Sequence, residues 1–244
     1  MGESIRPEHD GGVTGCNPKL IDIELSDALR GGPSIMPDLK PTVFVVDDDV
    51  SVRESLEGLI RTAGWDARTF ESAEAFLAFP SASGPSCLVL DVSLPDLNGL
   101  DLQARISGDR TEMPIIFVTG YGDVPMTVRA MKAGAAEFLT KPFGDEELLD
   151  AIEAALERSR AMVGTQAALR VLRQRYDSLS RREREVMDLV VTGLLNKQVG
   201  GELGISEITV KAHRGRMMEK MQARSLADLV KMSARLERES PRGA

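Results

Sequence analysis

The sequence predicts two domains, an α/β domain with a five-stranded, doubly wound parallel sheet and an all-α domain after it. The length of 244 residues suits two domains of ordinary size. Over residues 41–160, five short apolar runs alternate with amphipathic stretches, which is typical of a parallel sheet covered by helices on both faces. Residues 178–244 show helical periodicity without a strand signal, so the second domain is expected to be helical.

The predicted elements of the first domain alternate between strand and helix. Strands are predicted at residues 42–46, 66–70, 87–90, 115–118 and 137–139. Helices are predicted at residues 50–63, 73–79, 99–106, 124–132 and from 145 to about 160. In such a sheet the ligand site lies beyond the carboxyl ends of the strands, so the residues that follow each apolar run are the first candidates for function.

Two segments lie outside these domains. Residues 1–40 are rich in Gly, Pro and polar residues, which predicts a disordered N-terminal extension; alternatively, Met36 is the natural start of translation. Residues 161–177 form a predicted linker, which either is irregular or continues the preceding helix with Gly164 as its weak point. In the second domain, helices are predicted at residues 181–192, 196–203, 207–221 and 226–235.

Composition and charge favour a cytoplasmic protein that contacts nucleic acid through its C-terminal part. No segment has the roughly 18 uninterrupted apolar residues of a membrane helix, and the N-terminus lacks a secretory pattern, so no membrane contact is expected. Two cysteines, Cys16 and Cys87, make no disulfide framework. The formal net charge is -8, yet residues 171–244 carry 15 Lys and Arg against 10 Asp and Glu, which places any DNA contact there.

Five polar residues follow the predicted strands. Asp47 and Asp48 follow the first strand, Asp91 the third, Thr119 the fourth and Lys141 the fifth. A parallel sheet gathers these positions at one edge, where three carboxylates without a cation would repel one another. The arrangement therefore predicts a hard divalent ion such as Mg²⁺. Magnesium, a carboxylate nucleophile, a hydroxyl and a lysine are suited to phosphoryl transfer.

These residues belong to four motifs that resemble, in order and spacing, those of response-regulator receiver domains, which have a flavodoxin-like fold. The motifs are 45–49 (VVDDD), 90–95 (LDVSLP) with Gly99, 118–120 (VTG) and 138–143 (FLTKPF). Segment 119–126 (TGYGDVPM) is similar to the FixJ subgroup in particular. The resemblance spans about residues 42–160 and identifies the first domain as a receiver.

The resemblance implies a phosphoacceptor and a magnesium site. Asp91 would attack the phosphorus of a phosphohistidine on a sensor histidine kinase. Asp48, Asp91 and the backbone carbonyl of Ser93 would bind Mg²⁺, and Asp47 would hold the ion directly or through water. Asp49 is expected to cap the following helix instead, because an aspartate at that place is most often a helix N-cap.

The resemblance also implies how the phosphoryl group is held and sensed. Lys141 would pair with one phosphoryl oxygen, and Thr119 would hydrogen-bond another. Gly120 would leave room for the incoming group. Phe138 matches the switch aromatic, which moves inward when Thr119 moves, so that a new charge biases a two-state element.

The second domain has the pattern of a helix-turn-helix unit. A predicted helix at 196–203 is followed by Gly204, which suits the turn, and by Ser206, which can cap the helix at 207–221. That helix has an apolar face and a polar, basic face, as a recognition helix or an ordinary solvated helix would. Wider similarity to the LuxR-type DNA-binding domain covers about residues 178–236 and rests on 179–186 (LSRREREV), Gly193, Asn196, Lys197, Ser206, 209–211 (TVK), His213 and Arg214.

This second resemblance implies a set of DNA contacts. Residues nearest base edges would be Lys211, Ala212, Arg214 and Gly215, and residues mostly at phosphates would be Lys197, Thr209, His213 and Arg216. The sequence departs from the family at Gly200 and Gly201, where a single small residue is expected. Two glycines would cost about 1 kcal/mol each relative to alanine, unless close helix crossing requires one of them.

The sequence therefore predicts a FixJ-like transcriptional regulator, expected to be an activator, of a bacterial two-component system. Phosphorylation of Asp91 would produce a homodimer that binds half-sites in double-stranded DNA about one helical turn apart, with RNA polymerase as a candidate partner. The signal would pass either by release of a masked DNA-binding domain or by pairing of the linker with its twin.

Two rival functions remain at this point. Aspartate-nucleophile phosphatases also combine Mg²⁺ with a βα fold, but they place a general-acid Asp two residues after the nucleophile, where this chain has Ser93. We therefore expect the domain to catalyse only its own phosphorylation and slow dephosphorylation. A pure interaction module would take no phosphate at all.

Overall fold

The sheet has the predicted doubly wound topology. The structure, a computed structural model, describes residues 40–82, 84–95, 97–120 and 122–239. Five strands pair in parallel in the order β2-β1-β3-β4-β5, and they are β1 (Thr42–Val46), β2 (Asp66–Phe70), β3 (Ser86–Asp91), β4 (Ile115–Thr119) and β5 (Glu137–Thr140). The predicted fold is confirmed. Apart from Lys40, the extension predicted at residues 1–40 lies outside the described residues.

Three strands end one residue later than the sequence predicted. The sequence placed Asp91, Thr119 and Thr140 just beyond their strands, but each is the last residue of one. Asp91 pairs with Val118, and Thr119 pairs with Thr140, so the ladder continues past the apolar run. Burial of the first two explains why they stay in the ladder, since a buried backbone needs hydrogen-bond partners.

Helices cover both faces of the sheet and create two apolar cores. They are α1 (Val50–Thr62), α2 (Ala73–Ala78), α3 (Gly99–Ile106), α4 (Val124–Lys132) and α5 (Asp145–Asp177). Phe44 and Val46 of β1 point into one core, and Val43 and Val45 point into the other. Because strand side chains alternate between faces, near-continuous apolar strands are needed to fill both cores.

The fifth helix, α5, is continuous through the whole predicted linker. It runs from Asp145 to Asp177 with Gly164 inside it. Its first half packs Leu148 and Ile152 under the sheet, and Leu172 near its end belongs to the core of the helical domain. A single helix therefore contributes to one core of the sheet domain and to the core of the helical domain. Among the residues that the structure describes, no helix combines the length and apolarity needed to cross a bilayer.

Within the described residues, the helical domain has four further helices around one core. They are α6 (Arg181–Val190), α7 (Asn196–Leu203), α8 (Glu207–Met221) and α9 (Leu226–Glu239). A capping box starts α6, with the Ser180 hydroxyl accepting from Glu183 N and the Glu183 carboxylate accepting from Ser180 N. This helix ends two residues earlier than predicted, before a turn in which Gly193 has φ 93°.

Candidate functional site

An acidic cluster lies at the carboxyl edge of the sheet, between β1 and β3. These two strands are neighbours, and the sheet order reverses between them, which is where doubly wound sheets place their ligands. Carboxylate oxygens of Asp47, Asp48 and Asp91 all lie within 4.8 Å of one another. Asp47 and Asp91 are buried, and Asp48 is exposed.

Lys141 connects two of these carboxylates. Its Nζ donates to Asp47 Oδ2 at 2.7 Å and to Asp91 Oδ2 at 2.7 Å. Burial alone would lower the pKa of Lys141, but the hydrogen bonds to Asp47 and Asp91 outweigh it, so the pKa lies above its ordinary value. Burial raises the pKa of Asp47, which the contact with Lys141 opposes. The ammonium therefore stays charged beside both carboxylates.

The donor set fits a divalent cation. Three carboxylates facing one ammonium carry two negative charges in excess when all are ionised, and a divalent ion would balance them. The ligand atoms are oxygens, which hard cations such as Mg²⁺ prefer. Asp91 also accepts from the backbone N–H of Ser93 at 2.8 Å through Oδ1.

The loop after β1 is held by two further interactions. Asp49 caps α1, as predicted, because its carboxylate accepts from Ser51 N at 2.8 Å and Val52 N at 3.4 Å. Arg53 Nη1 donates to the carbonyls of Asp47 at 2.8 Å and Asp48 at 2.9 Å. The guanidinium therefore fixes the backbone that carries two of the three clustered carboxylates.

Thr119 is the last residue of β4, and Phe138 lies on the neighbouring strand β5. Thr119 is buried, and its carbonyl accepts from Lys141 N at 2.8 Å, which ties the lysine to the end of β4. The Phe138 ring is partly buried, with its centroid 6.1 Å from that of Phe117. A Cβ at Gly120 would meet nothing within 4 Å, whereas one at Gly122 would lie 3.0 Å from Phe138 Cε1. The absence of a side chain at Gly122 thus leaves room for the Phe138 ring.

The helix-turn-helix geometry is present in α7 and α8. Gly204 ends α7 with φ 65°, and the Ser206 hydroxyl caps α8 by accepting from Thr209 N at 3.2 Å. The predicted apolar face of α8 consists of Val210, Met217 and Met221, which are buried in the domain core. The opposite face of α8 is open to solvent.

The eight predicted DNA-contacting residues differ in their surroundings. Six are exposed, namely Lys197, Thr209, Lys211, Ala212, Gly215 and Arg216, whereas His213 and Arg214 are partly buried. Thr209 Oγ1 lies 2.8 Å from Ser206 Oγ, in the cap of α8. Arg214 Nη1 donates to Asn196 Oδ1 at 3.0 Å, so its guanidinium is held against α7.

Comparison with known proteins matches both halves of the chain. The family described as "Response regulator receiver domain" matches residues 43–153, and "Bacterial regulatory proteins, luxR family" matches residues 177–233. The transcriptional regulatory protein FixJ of Bradyrhizobium diazoefficiens is 41% identical over 80% of this chain and 96% of its own length. The chain belongs to the FixJ-like response regulators. It is a transcriptional regulator of the two-component type, with a receiver domain and a LuxR-type DNA-binding domain.

Another curated relative and a solved structure also match most of this response regulator. Nodulation protein W of Bradyrhizobium diazoefficiens is 54% identical over 81% of this chain and 87% of its own length. A solved structure of the response regulator StyR is 48% identical, covers 81% of this chain and 100% of its own, and superposes with a TM-score of 0.73. The predicted family and fold are confirmed. The comparisons do not favour the phosphatase or the interaction module, because relatives such as TodT and FixJ are named as a response regulator and a transcriptional regulatory protein.

Sequence reasoning missed Arg53 and the structural role of Asn196 in this response regulator. The position of Arg53 could have indicated its role. A cation in the first turns of a helix interacts unfavourably with the helix dipole, which suggests that the residue is there for a tertiary contact. The sequence around Asn196 does not indicate its contact, because its partner Arg214 lies 18 residues later in the sequence, on another helix.

Proposed function

We propose that Asp91 is the phosphoacceptor of this response regulator and that a sensor histidine kinase is the donor. The observation that carries the proposal is the contact of one ammonium, Lys141 Nζ, with both Asp47 and Asp91 at 2.7 Å. A lysine held there faces the site where a phosphoryl group on Asp91 would place its negative charge. The matches of the two domains to the receiver and luxR families support the same proposal.

Mg²⁺ is the metal that we assign to the acidic cluster. Asp47, Asp48 and Asp91, with the Ser93 backbone carbonyl, would hold it. When bound, the ion neutralises charge on the phosphoryl oxygens. Arg53 supports the site by fixing the carbonyls of Asp47 and Asp48.

The transfer is a displacement at phosphorus. An oxygen of the Asp91 carboxylate forms the new O–P bond while the P–N bond of the kinase phosphohistidine breaks, and the electron pair stays on the imidazole nitrogen. Lys141 then pairs with one phosphoryl oxygen and the Thr119 hydroxyl donates to another. Hydrolysis is slow because Ser93 stands where a phosphatase has its general acid, so this activity is limited to the regulator's own phosphorylation and dephosphorylation.

The output is proposed to follow the predicted domain division. Residues 1–40 are an extension, 41–160 the receiver, 161–177 the linker and 178–244 the DNA-binding domain. Movement of Thr119 would draw in Phe138 and favour a homodimer, which places two α8 helices on half-sites of double-stranded DNA. We assign transcription activation with RNA polymerase as partner, and the cytoplasm as location because the operator DNA lies there.

The DNA contacts are proposed on the exposed side of the helix-turn-helix unit. Base-edge contacts are assigned to Lys211, Ala212, Arg214 and Gly215, and phosphate contacts to Lys197, Thr209, His213 and Arg216. Exposure of six of these eight residues supports the assignment. Since Arg214 is held by Asn196, its contact with DNA would need that hydrogen bond to be shared or exchanged.

Phosphorylation with acetyl phosphate and Mg²⁺ tests the acceptor. Intact mass spectrometry should show one added phosphoryl group on the wild-type chain and none on Asp91→Asn. Asp150→Asn is the matched control, because Asp150 is exposed on α5, away from the strand ends. Labelling of Asp91→Asn at the wild-type level, or sustained release of inorganic phosphate, would contradict the proposal.

A further inference from the structure

The exposed face of α8 has an apolar centre. With about 100° between successive residues, Ile208, Ala212 and Gly215 fall on one side of this helix, opposite the buried Val210 and Met217. We call these three residues the apolar strip. Ile208 is 80% exposed, although it is a large aliphatic residue, and Ala212 and Gly215 are also exposed.

Basic groups flank the apolar strip. Lys211 lies beside Ile208 on the same face, bonded at 3.3 Å to Glu207, and Arg216 lies exposed at its edge. The N-terminus of α8 adds partial positive charge close to Ile208, the second residue of the helix. Glu219 is on the same face but near the C-terminal end of the helix. The exposed face of α8 therefore has an apolar centre, with Lys211 and Arg216 on opposite sides of it and Glu207 and Glu219 toward its two ends. Such a face fits a polyanion with an apolar feature when Lys211 exchanges its contact with Glu207 for one with the polyanion.

DNA presents one such feature in the major groove. The 5-methyl group of thymine is the apolar contact that this groove offers, and residues at the N-terminal part of a recognition helix reach base edges. Arg214 points toward α7 through its bond to Asn196, whereas Ile208, Lys211 and Ala212 near the start of α8 are exposed on one face. An aliphatic side chain cannot read hydrogen-bonding edges, but it can discriminate a methyl group.

We propose that Ile208 is a specificity-determining residue that reads thymine methyl groups in the operator. The inference rests on the DNA binding proposed above and goes beyond it, since Ile208 is outside the assigned set of contacts. The contact buries one methyl group against the isoleucine side chain, with Ala212 as a smaller neighbour. Burial of one methyl group changes affinity by about fourfold.

The test removes the methyl group from the DNA and the side chain from the protein. Full-length protein, phosphorylated with acetyl phosphate and Mg²⁺, is used to select binding sites from a randomised duplex pool. Each thymine of the selected site is then replaced by deoxyuridine, which pairs identically but lacks the methyl group. We expect about fourfold weaker binding at one or two thymines for the wild type, and no loss at those positions for Ile208→Ala.

Leu195→Ala is the matched control, because Leu195 is an aliphatic residue that is 70% exposed and precedes α7. It should keep the wild-type response to deoxyuridine. The inference is overturned if the wild type selects a site that deoxyuridine does not weaken, if Ile208→Ala keeps the same sensitivity, or if Ile208→Ala changes only the oligomeric state. Failure to select any sequence would instead refute the proposed DNA-binding function.

Discussion

Two adjacent glycines in α7 should respond in opposite ways to the same substitution. A Cβ on Gly200 would lie 2.8 Å from the backbone carbonyl oxygen of Ile205, whereas a Cβ on Gly201 would meet nothing within 4 Å. Backbone cannot rotate away as a flexible side chain can. The two positions therefore separate the cost of glycine in a helix from the cost of a steric clash.

The expected magnitudes follow from these distances. Gly201→Ala should stabilise the DNA-binding domain by about 1 kcal/mol, the difference in helix propensity between the two residues. Gly200→Ala gains the same propensity but overpacks the helix crossing, at a cost of about 1 to 3 kcal/mol. It also displaces the hydrogen bond from Ile205 N to Gly200 O, now 3.0 Å long, which is worth about 1 kcal/mol. A net loss of about 2 kcal/mol is expected.

Hydrogen exchange measured by mass spectrometry on the full chain is the suitable assay, because unfolding of a two-domain chain is not a single transition. Peptides from α7 and α8 should exchange more slowly in Gly201→Ala and faster in Gly200→Ala. Peptides from β1 and β3 serve as the internal control and should not change. Equal shifts of the same sign in both variants would refute the steric argument.

Three further predictions concern charged residues. Lys141→Met should bind Mg²⁺ several-fold more tightly in calorimetry while losing phosphoryl transfer from acetyl phosphate, since a cation beside the acidic cluster is removed; weaker Mg²⁺ binding would contradict this. Arg53→Ala should weaken Mg²⁺ binding several-fold by freeing the backbone of Asp47 and Asp48, whereas Arg61→Ala, on the exposed face of the same helix, should not. The hydrogen bond from Lys220 lowers the pKa of Glu183; burial opposes this shift, and hydrogen bonds from Ser180 add to it. The ionised carboxylate therefore stabilises the fold above the ordinary pKa of 4.5, and this stabilisation is lost as the pH falls below that value. Glu183→Gln should therefore cost about 1 to 2 kcal/mol near neutral pH in exchange measurements on α6 peptides, and the difference from wild type should shrink below pH 4.5; a difference that grows in acid would show that the sign is wrong.

The sequence was sufficient for the sheet and for the position of the acidic cluster, because both follow from local patterns. Apolar runs such as Val43 to Val46 define buried parallel strands, and topology then brings Asp47 and Asp91 together. Caps at Asp49 and Ser206 were also predictable, since an N-cap depends on residues within one turn.

Features that depend on tertiary contact were beyond the sequence. The sequence pattern could not show which of Gly200 and Gly201 must be glycine. That depends on how closely each residue approaches the Ile205 carbonyl in the turn between α7 and α8. Nor could it decide whether α5 continues through Gly164, since the helix propensity lost at one glycine is smaller than the packing gained by Leu172 in the core of the helical domain. The predicted contacts with Mg²⁺ and DNA stay predictions.

Because α5 is unbroken, the number of residues between the receiver core and the core of the helical domain sets both the distance and the rotation between the two domains. Each added residue would turn whatever follows it by about 100° about the helix axis and advance it by about 1.5 Å. An insertion of two residues would present the opposite side of the DNA-binding domain, whereas seven residues would restore the original direction to within about 20°. Spacings that preserve how the two domains face each other are therefore expected to recur in steps of whole helical turns.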